Sequence, residues 1–142
     1  MAIQTKRVYE EPRRGDGARV LVDRLWPRGI SKDSAKLTEW LRDIAPSDEL
    51  RKWYHARPAQ WGAFRKRYLD ELRGPEASQA LEQLYKMAAE HATLTLLFAS
   101  KNLDRNNATV LKELMDGSRK PPSTLGKVKI AAARRRRARI PQ

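Results

Sequence analysis

The sequence contains no cysteine among its 142 residues. This absence excludes disulfides, thiol catalysis and cysteine-ligated metal sites, and it fits the reducing environment of the cytosol. No run of about eighteen apolar residues occurs, so no transmembrane helix is expected. The N-terminal stretch MAIQTKRVYEE lacks the apolar core of a secretory signal. We therefore expect a cytoplasmic protein that does not enter a membrane.

Several signatures of catalysis and cofactor binding are also missing. The chain has no glycine-rich phosphate loop and no G-x-S-x-G elbow, and neither of its two histidines stands in metal-ligand spacing with carboxylates. No metal site and no nucleotide-cofactor motif are indicated, and the cofactor is otherwise unknown. His55 lies beside aromatic residues and an arginine, and it is the residue best suited to acid–base chemistry near neutral pH.

Acidic residues are absent from the end of the chain. The net charge is +13, yet residues 119–142 hold nine Lys or Arg and no Asp or Glu. Residues 1–118 contain the other 21 basic residues and all 17 acids, a net charge of +4. This asymmetry predicts one domain over residues 1–118 and a basic, flexible tail over residues 119–142.

Apolar runs and turn signals predict the strands and helices. Residues 3–9, 18–25 and 93–99 are expected to be strands, because they are short and rich in β-formers. Helical periodicity predicts helices over residues 34–44, after Ser47, after Pro58, over 77–91 and over 107–115. Strands separated by helices favour a three-layer α/β domain, with a small, mostly parallel sheet flanked by helices.

Two polar clusters directly follow the two strongest strands, at residues 23–29 and 100–107. Parallel strands would bring both clusters to one edge of the sheet, where open α/β sheets bind their ligands. Arginines beside a helix N-terminus form a natural anion site. The candidate ligand-binding residues are Arg24, Trp26, Arg28, Ser100, Lys101, Arg105, Asn106 and Asn107.

These residue types predict a site for a small phosphorylated or carboxylated anion. Arg24 and Arg28 would clamp the anion and Lys101 would add charge, while the helix start at residues 106–107 would donate backbone N–H groups. Trp26 could stack on a ring. Catalysis is undecided: Asp23 could orient an arginine or act as a base, and His55 is the other candidate.

The same residues also permit a purely structural interpretation. Asp23 could hold Arg28 or Lys101 in an ion pair, Trp26 and Pro27 could form a packed turn, and Asn106 could simply cap a helix. The alternative function comes from the tail, whose arginines would attract nucleic acid through its phosphates without sequence choice. Those arginines are Arg134, Arg135, Arg136, Arg137 and Arg139.

Three stretches together resemble a known family. RVLVDRLWPRGISK, WLRDIAPSDELRKWYHARPAQWGAFRKRYLDEL and LTLLFASKNLDRNNATVLKEL are similar to the YeaO-like family, domain of unknown function 488, over roughly residues 3–116. The resemblance implies a small cytosolic α/β domain of bacteria or archaea and no established activity. Wider relatives place a cysteine after the later strand, where this chain has Ser100. The matching positions are Asp23, Arg24, Trp26, Pro27, Arg28, Gly29, Asp43, Pro46, Ser47, Arg51, Trp53, Lys101, Asn106 and Asn107.

Overall fold

A computed structural model describes residues 2–117 of the chain. Four strands form one sheet in the order β1-β4-β2-β3, and every neighbouring pair is parallel. The predicted α/β class with a small parallel sheet is therefore confirmed. The strands are β1 (Ala2–Arg7), β2 (Ala18–Leu21), β3 (Glu39–Trp40) and β4 (Thr93–Phe98).

Most of the described helices lie between β3 and β4 in the chain. Four of them match predicted helices to within a few residues. Single turns of 3-10 helix also occur at Arg14–Asp16 and Arg42–Ile44. The α-helices are α1 (Lys32–Ala35), α2 (Asp48–Ala56), α3 (Trp61–Glu71), α4 (Pro75–Glu90) and α5 (Asn107–Gly117).

The helix predicted over residues 34–44 was wrong. Helix α1 ends at Ala35, and Lys36 adopts the left-handed conformation with φ of 48°. The chain then pairs with β2, since the Thr38 N–H donates to the Arg19 carbonyl at 2.7 Å. A helix would place the apolar residues of this segment on one stripe. In the structure Leu37 and Trp40 pack on one face of the sheet, whereas Leu41 and Ile44 join the core on the other.

The two faces of the sheet are covered unequally. Helices α2 to α5 pack on one face and form the main hydrophobic core with strand residues such as Val20, Leu94 and Leu96. The other face carries a smaller cluster around Leu21 and Leu97, covered by partly buried residues of the connecting segments. The strand predicted over residues 18–25 is shorter than expected, because the chain leaves the sheet after β2.

A buried polar network lies on that second face. The Asp16 carboxylate pairs with Arg19 and Lys6, and it also accepts a hydrogen bond from the Arg13 N–H. The Arg19 guanidinium in addition donates to the Ala35 carbonyl, at 2.8 and 3.1 Å. Asp16 and Arg19 are only 5 % and 4 % exposed, so their charges compensate each other away from water. The network fixes the first 3-10 turn and the end of α1 against the sheet.

Candidate functional site

The carboxyl ends of β2 and β4 lie side by side. Leu21 pairs with Leu97, and the Val22 N–H donates to the Leu97 carbonyl at 3.1 Å. The loops that follow these strands therefore leave the sheet at the same edge. The structure thus brings together the two polar clusters predicted from the sequence, at residues 23–29 and 100–107, as parallel strands require.

Asp23 joins the segments that meet at this edge. Its carboxylate accepts a hydrogen bond from the Ala99 N–H at 2.9 Å and another from the Asn107 side-chain amide at 3.1 Å. Its backbone carbonyl accepts a third from the Trp40 indole N–H at 2.7 Å. The ion pair of Asp23 with Arg28 or Lys101, which the structural interpretation of the sequence allowed, does not occur within the described residues.

Burial raises the pKa of the Asp23 carboxyl above its ordinary value. The hydrogen bonds from Asn107 and Ala99 favour the charged form, as does the positive charge of Arg51, but they do not cancel the effect of burial. Beneath this group Tyr68 is fully buried and donates to the Ile44 carbonyl at 2.6 Å. Burial, with the negative charges of Asp23 and Glu71, raises the pKa of Tyr68 well above its ordinary value.

The Arg24 side chain is hydrogen-bonded to backbone carbonyl groups. Its Nε donates to the Pro46 carbonyl at 3.2 Å, and its Nη2 donates to the Ala45 carbonyl at 3.0 Å. These bonds hold the segment that leads into α2. For Nη1 no hydrogen bond is found within residues 2–117. Arg24 thus has one nitrogen left for a ligand rather than a bidentate fork.

Trp26 packs against Trp40 rather than standing free. Its indole N–H donates to the Ile30 carbonyl at 2.6 Å, and the two indole rings meet edge to face, with centroids 5.3 Å apart. Both rings belong to the smaller hydrophobic cluster. The geometry therefore favours the packed turn over ring stacking on a ligand for this residue.

Side-chain hydrogen bonds order the loop between β4 and α5. The Asn102 carbonyl oxygen Oδ1 accepts from the Asp104 and Arg105 N–H groups at 3.0 and 2.9 Å, and Ser100 Oγ accepts from the Asn102 N–H. Asn106 is 3 % exposed and donates from its side chain to the Asn102 carbonyl at 2.7 Å. The side chains of the loop therefore order its own backbone through these hydrogen bonds.

Asn106 caps α5, as the sequence indicated. Its Oδ1 accepts from the Thr109 N–H at 3.0 Å, and Thr109 Oγ1 accepts from the Asn106 N–H at 3.1 Å. The N–H groups of Asn107 and Ala108 have no hydrogen-bond partner among the residues that the structure describes. Unpaired N–H groups in the first turn carry the positive end of the helix dipole.

Three predicted cations remain exposed at this edge. Arg28, Lys101 and Arg105 are all on the surface, and none of them forms an ion pair in the described part of the chain. Arg28 is held only through its carbonyl, which accepts from the Tyr9 hydroxyl at 2.9 Å. These cations, unlike Arg24, have their charged groups available for a ligand.

Sequence reasoning missed Arg7 and Tyr54. Arg7 ends β1 and donates to the Ala99 and Ser100 carbonyls at 3.0 and 2.9 Å, so it positions the loop after β4. The Tyr54 hydroxyl donates to the Arg105 carbonyl at 3.4 Å, which places α2 beside the same loop. A lone arginine at a strand end forms no motif, and Tyr54 lies on a helical stripe that predicts core packing. The His55 side chain is exposed and makes no hydrogen bond or ion pair within residues 2–117.

A shallow cavity of about 470 Å³ opens beyond Arg24, between β3, the second 3-10 turn and α4. Acidic and basic side chains line it together, including Glu39, Arg42, Asp43 and Glu76. Searched over residues 2–117, the structure shows no group of three metal-ligating side chains. None of the described helices has the length and apolar character needed to cross a membrane. The tail arginines 134–137 and 139 lie outside the described residues.

The fold and its polar edge define a small α/β domain with an all-parallel sheet. Comparison with family models matches residues 2–123 to the model described as "Inactive DUF488-N3 subclade". The chain belongs to the YeaO-like family of DUF488 proteins, so the predicted resemblance is confirmed.

Two bacterial relatives illustrate the similarity. The uncharacterized protein YeaO of Escherichia coli strain K12 is 46 % identical over 113 residues, which cover 80 % of this chain and 96 % of YeaO. The uncharacterized protein Rv3073c of Mycobacterium tuberculosis is 42 % identical over 115 residues, covering 81 % of this chain and 94 % of its own length. No solved structure matches the chain significantly.

Proposed function

We propose that this protein is a cytoplasmic binding domain for a small phosphorylated or carboxylated anion, which it holds at the carboxyl edge of the sheet. The observation that carries this proposal is the start of α5. There the unpaired N–H group of Asn107, a partly exposed residue, follows a hydrogen-bonded loop that bears Lys101 and Arg105, whereas the next residue, Ala108, is fully buried. A helix start and unpaired cations on one ordered loop match the chemistry of an anion.

The other predicted residues take supporting roles in this proposal. Arg28 adds charge from the loop after β2, and Arg24 contributes its remaining nitrogen while it holds the segment before α2. Asp23 is negatively charged when ionised and opposes an anion, so the ligand would sit on the outer side of the loop. Ser100 and Asn106 shape the loop through the hydrogen bonds that order it.

Binding without turnover fits the residues best. The matched subclade is described as inactive, and the chain offers no cysteine nucleophile after β4 because Ser100 stands there. The Asp23 carboxylate already accepts hydrogen bonds from two donors of the protein, the Ala99 N–H and the Asn107 amide. It is therefore poorly placed to take a proton from a substrate as a general base. His55 remains the candidate if chemistry occurs.

The test is a thermal-shift and calorimetric screen of the full chain. Inorganic phosphate, phosphorylated metabolites and carboxylates would be added at matched ionic strength, because a ligand that binds the native state raises the melting temperature by mass action. We expect the double variant Lys101→Gln/Arg105→Gln to lose the shift. The control Lys32→Gln/Lys86→Gln removes two exposed cations elsewhere and should keep it. No shift with any anion, or an equal shift in the Lys101→Gln/Arg105→Gln variant, would refute the site.

The tail supports a second candidate function, the binding of nucleic acid. The specific observation is compositional: residues 119–142 carry nine basic residues and no acid. We propose that they attach to a phosphate backbone next to a domain formed by residues 1–118. Deleting residues 119–142 should remove the contribution of these residues to nucleic-acid binding and leave the binding of small anions intact.

A further inference from the structure

The hairpin of α2 and α3 carries an unusual run of one charge sign. Residues 51–69 contain six Arg or Lys and one His, with no Asp or Glu. All six basic side chains are exposed. Neither the anion site nor the tail makes use of this surface, which we call the hairpin surface. Its cations are Arg51, Lys52, Arg57, Arg65, Lys66 and Arg67.

Ion pairs neutralise only part of the hairpin surface. Asp48 pairs with Arg51 and Lys52, and Glu113 pairs with Arg65. Arg57, Lys66 and Arg67 have no carboxylate partner within residues 2–117. Such clustered positive charge attracts polyanions and is screened by salt.

A partly exposed tryptophan lies among these cations. The Arg67 guanidinium carbon is 4.1 Å from the Trp53 ring centroid, and that of Arg57 is 5.5 Å from it. The Arg57 Nη1 also donates to the Trp53 carbonyl at 3.5 Å. The Arg67 guanidinium therefore covers a face of the indole ring, which also packs against the main core. A base can stack on Trp53 there when this flexible side chain turns outward to a phosphate.

An aromatic stack beneath keeps the two helices in register. Tyr54 and Phe64 stack with ring centroids 4.3 Å apart, and Trp61 and Tyr68 extend the row on either side of Phe64 at 5.8 and 5.9 Å. Phe64 and Tyr68 are buried in the main core. The cations of the hairpin surface thus rest on a rigid base, which lowers the entropy lost when a partner binds.

We propose that the hairpin surface binds single-stranded nucleic acid, with Arg57, Lys66 and Arg67 on phosphates and Trp53 against a base. A nucleic acid strand carries a phosphate every few ångströms, so several unpaired cations on one surface can each contact a phosphate. Every base has an aromatic face that can stack on an indole ring. An acidic protein segment could form ion pairs with these cations, but it has no base to stack on Trp53. This binding does not depend on the proposed anion site.

The experiment measures binding of a labelled 16-nucleotide oligothymidylate by fluorescence anisotropy. The protein is the full chain in which all nine basic residues of the tail, residues 119–142, are replaced by Gln, so that the tail charge does not mask the hairpin. In this background Arg57→Gln/Arg67→Gln should weaken binding about tenfold or more at low salt. It should also reduce the slope of log affinity against log salt by about 1.4, because each lost phosphate contact removes about 0.7.

Two comparisons make the result specific. Lys32→Gln/Lys86→Gln removes the same charge from exposed sites elsewhere and should leave the slope unchanged. Trp53→Leu should weaken binding of the single strand by about tenfold, with a melting temperature that shows the chain still folds. The proposal is overturned if the arginine variant binds like the control variant. It is also overturned if Trp53→Leu binds as well as its background, or if polyglutamate of equal charge competes as well as the oligonucleotide.

Discussion

The Asn107 side-chain amide donates to the Asp23 carboxylate at 3.1 Å and to the Val22 carbonyl at 2.8 Å. One residue at the start of α5 thereby fastens the helix to the end of β2. Because Asp23 also accepts from the Ala99 N–H, the ends of β2 and β4 and the start of α5 form a single hydrogen-bonded unit. The proposed anion site is built on top of this unit, so its geometry depends on a contact that the ligand does not touch.

We predict that Asn107→Ala destabilises the protein by about 1–3 kcal/mol, because it leaves a partly buried carboxylate and carbonyl short of a donor. It should also raise the pKa of Asp23 further, since the amide favours the charged form. Urea denaturation and NMR titration of the Asp23 carboxyl measure the two effects. Asn102→Ala, in an exposed loop where water can replace the lost bonds, should cost less. An equal cost for both variants would contradict the bracing role of Asn107.

The pKa of Asp16 is shifted in the opposite direction to that of Asp23. Burial alone would raise its pKa, but hydrogen bonds from the Arg13 N–H, Lys6 and Arg19 outweigh burial and lower it. A lowered pKa in the folded state gives stability that is present above the unfolded value, about 3.9, and is lost as pH falls through the folded value. We predict that Asp16→Asn removes this acid-dependent loss and costs about 3–5 kcal/mol at neutral pH, because Lys6 and Arg19 lose their counterion.

Unfolding midpoints in urea between pH 2.5 and 7 test the role of Asp16. The readout is the difference between the wild-type and Asp16→Asn curves, which should shrink as pH falls below about 4. Asp48→Asn is the control, because Asp48 also has a lowered pKa but lies exposed in its ion pairs with Arg51 and Lys52. That control should change stability little. A constant difference between wild type and Asp16→Asn at all pH values would count against the buried network.

Hydrophobic periodicity predicted correctly the helices and strands whose apolar side chains all pack into one hydrophobic cluster. It failed for the segment that divides its apolar side chains between the two faces of the sheet. Val20-Leu21-Val22 and residues 93–99 read clearly as buried strands, and Ser47 marked the start of α2. In the sequence, the spacing of Leu37, Trp40, Leu41 and Ile44 fits a helix as well as it fits an extended segment. Only pairing with β2, which is a contact remote in sequence, selects the extended form.

The location of the candidate site followed from the sequence, but its contacts did not. Two polar clusters after parallel strands must meet at one edge. Which donor reaches which acceptor depends on loop paths that periodicity does not encode. The Arg24 side chain donates to the carbonyls of Ala45 and Pro46. Asp23 accepts a hydrogen bond from the Asn107 amide, whereas one interpretation of the sequence gave it a cation as partner.

Glu71 and Ser47 join α3 to the start of α2. The Glu71 carboxylate accepts from the Ser47 N–H at 2.8 Å and from its hydroxyl at 2.6 Å, while Ser47 Oγ accepts from the Leu50 N–H at 3.1 Å. We predict that Ser47→Ala costs about 0.5–2 kcal/mol, because the helix loses its cap and the carboxylate loses a donor. Ser78→Ala, which removes a hydroxyl from an exposed first turn of α4, should be nearly neutral. The measurement is the denaturant midpoint of unfolding for each variant. Equal midpoints for Ser47→Ala and Ser78→Ala would be evidence against a stabilising cap at Ser47.

Among the glycines of residues 2–117, Gly17 is predicted to be the least tolerant of a side chain. Its φ is 64°, and a Cβ built there would lie 2.1 Å from the Thr93 carbonyl oxygen, so Gly17→Ala must both strain the turn and displace the start of β4. Gly29 has φ of 81° with nothing within 4 Å, so Gly29→Ala pays the conformational cost alone, about 1–2 kcal/mol. Gly15 has neither problem, and Gly15→Ala should be neutral or slightly stabilising. We expect Gly17→Ala to cost about 3 kcal/mol or more in thermal or urea unfolding. A smaller loss for Gly17→Ala than for Gly29→Ala would mean that β4 can move away from the turn without breaking the sheet.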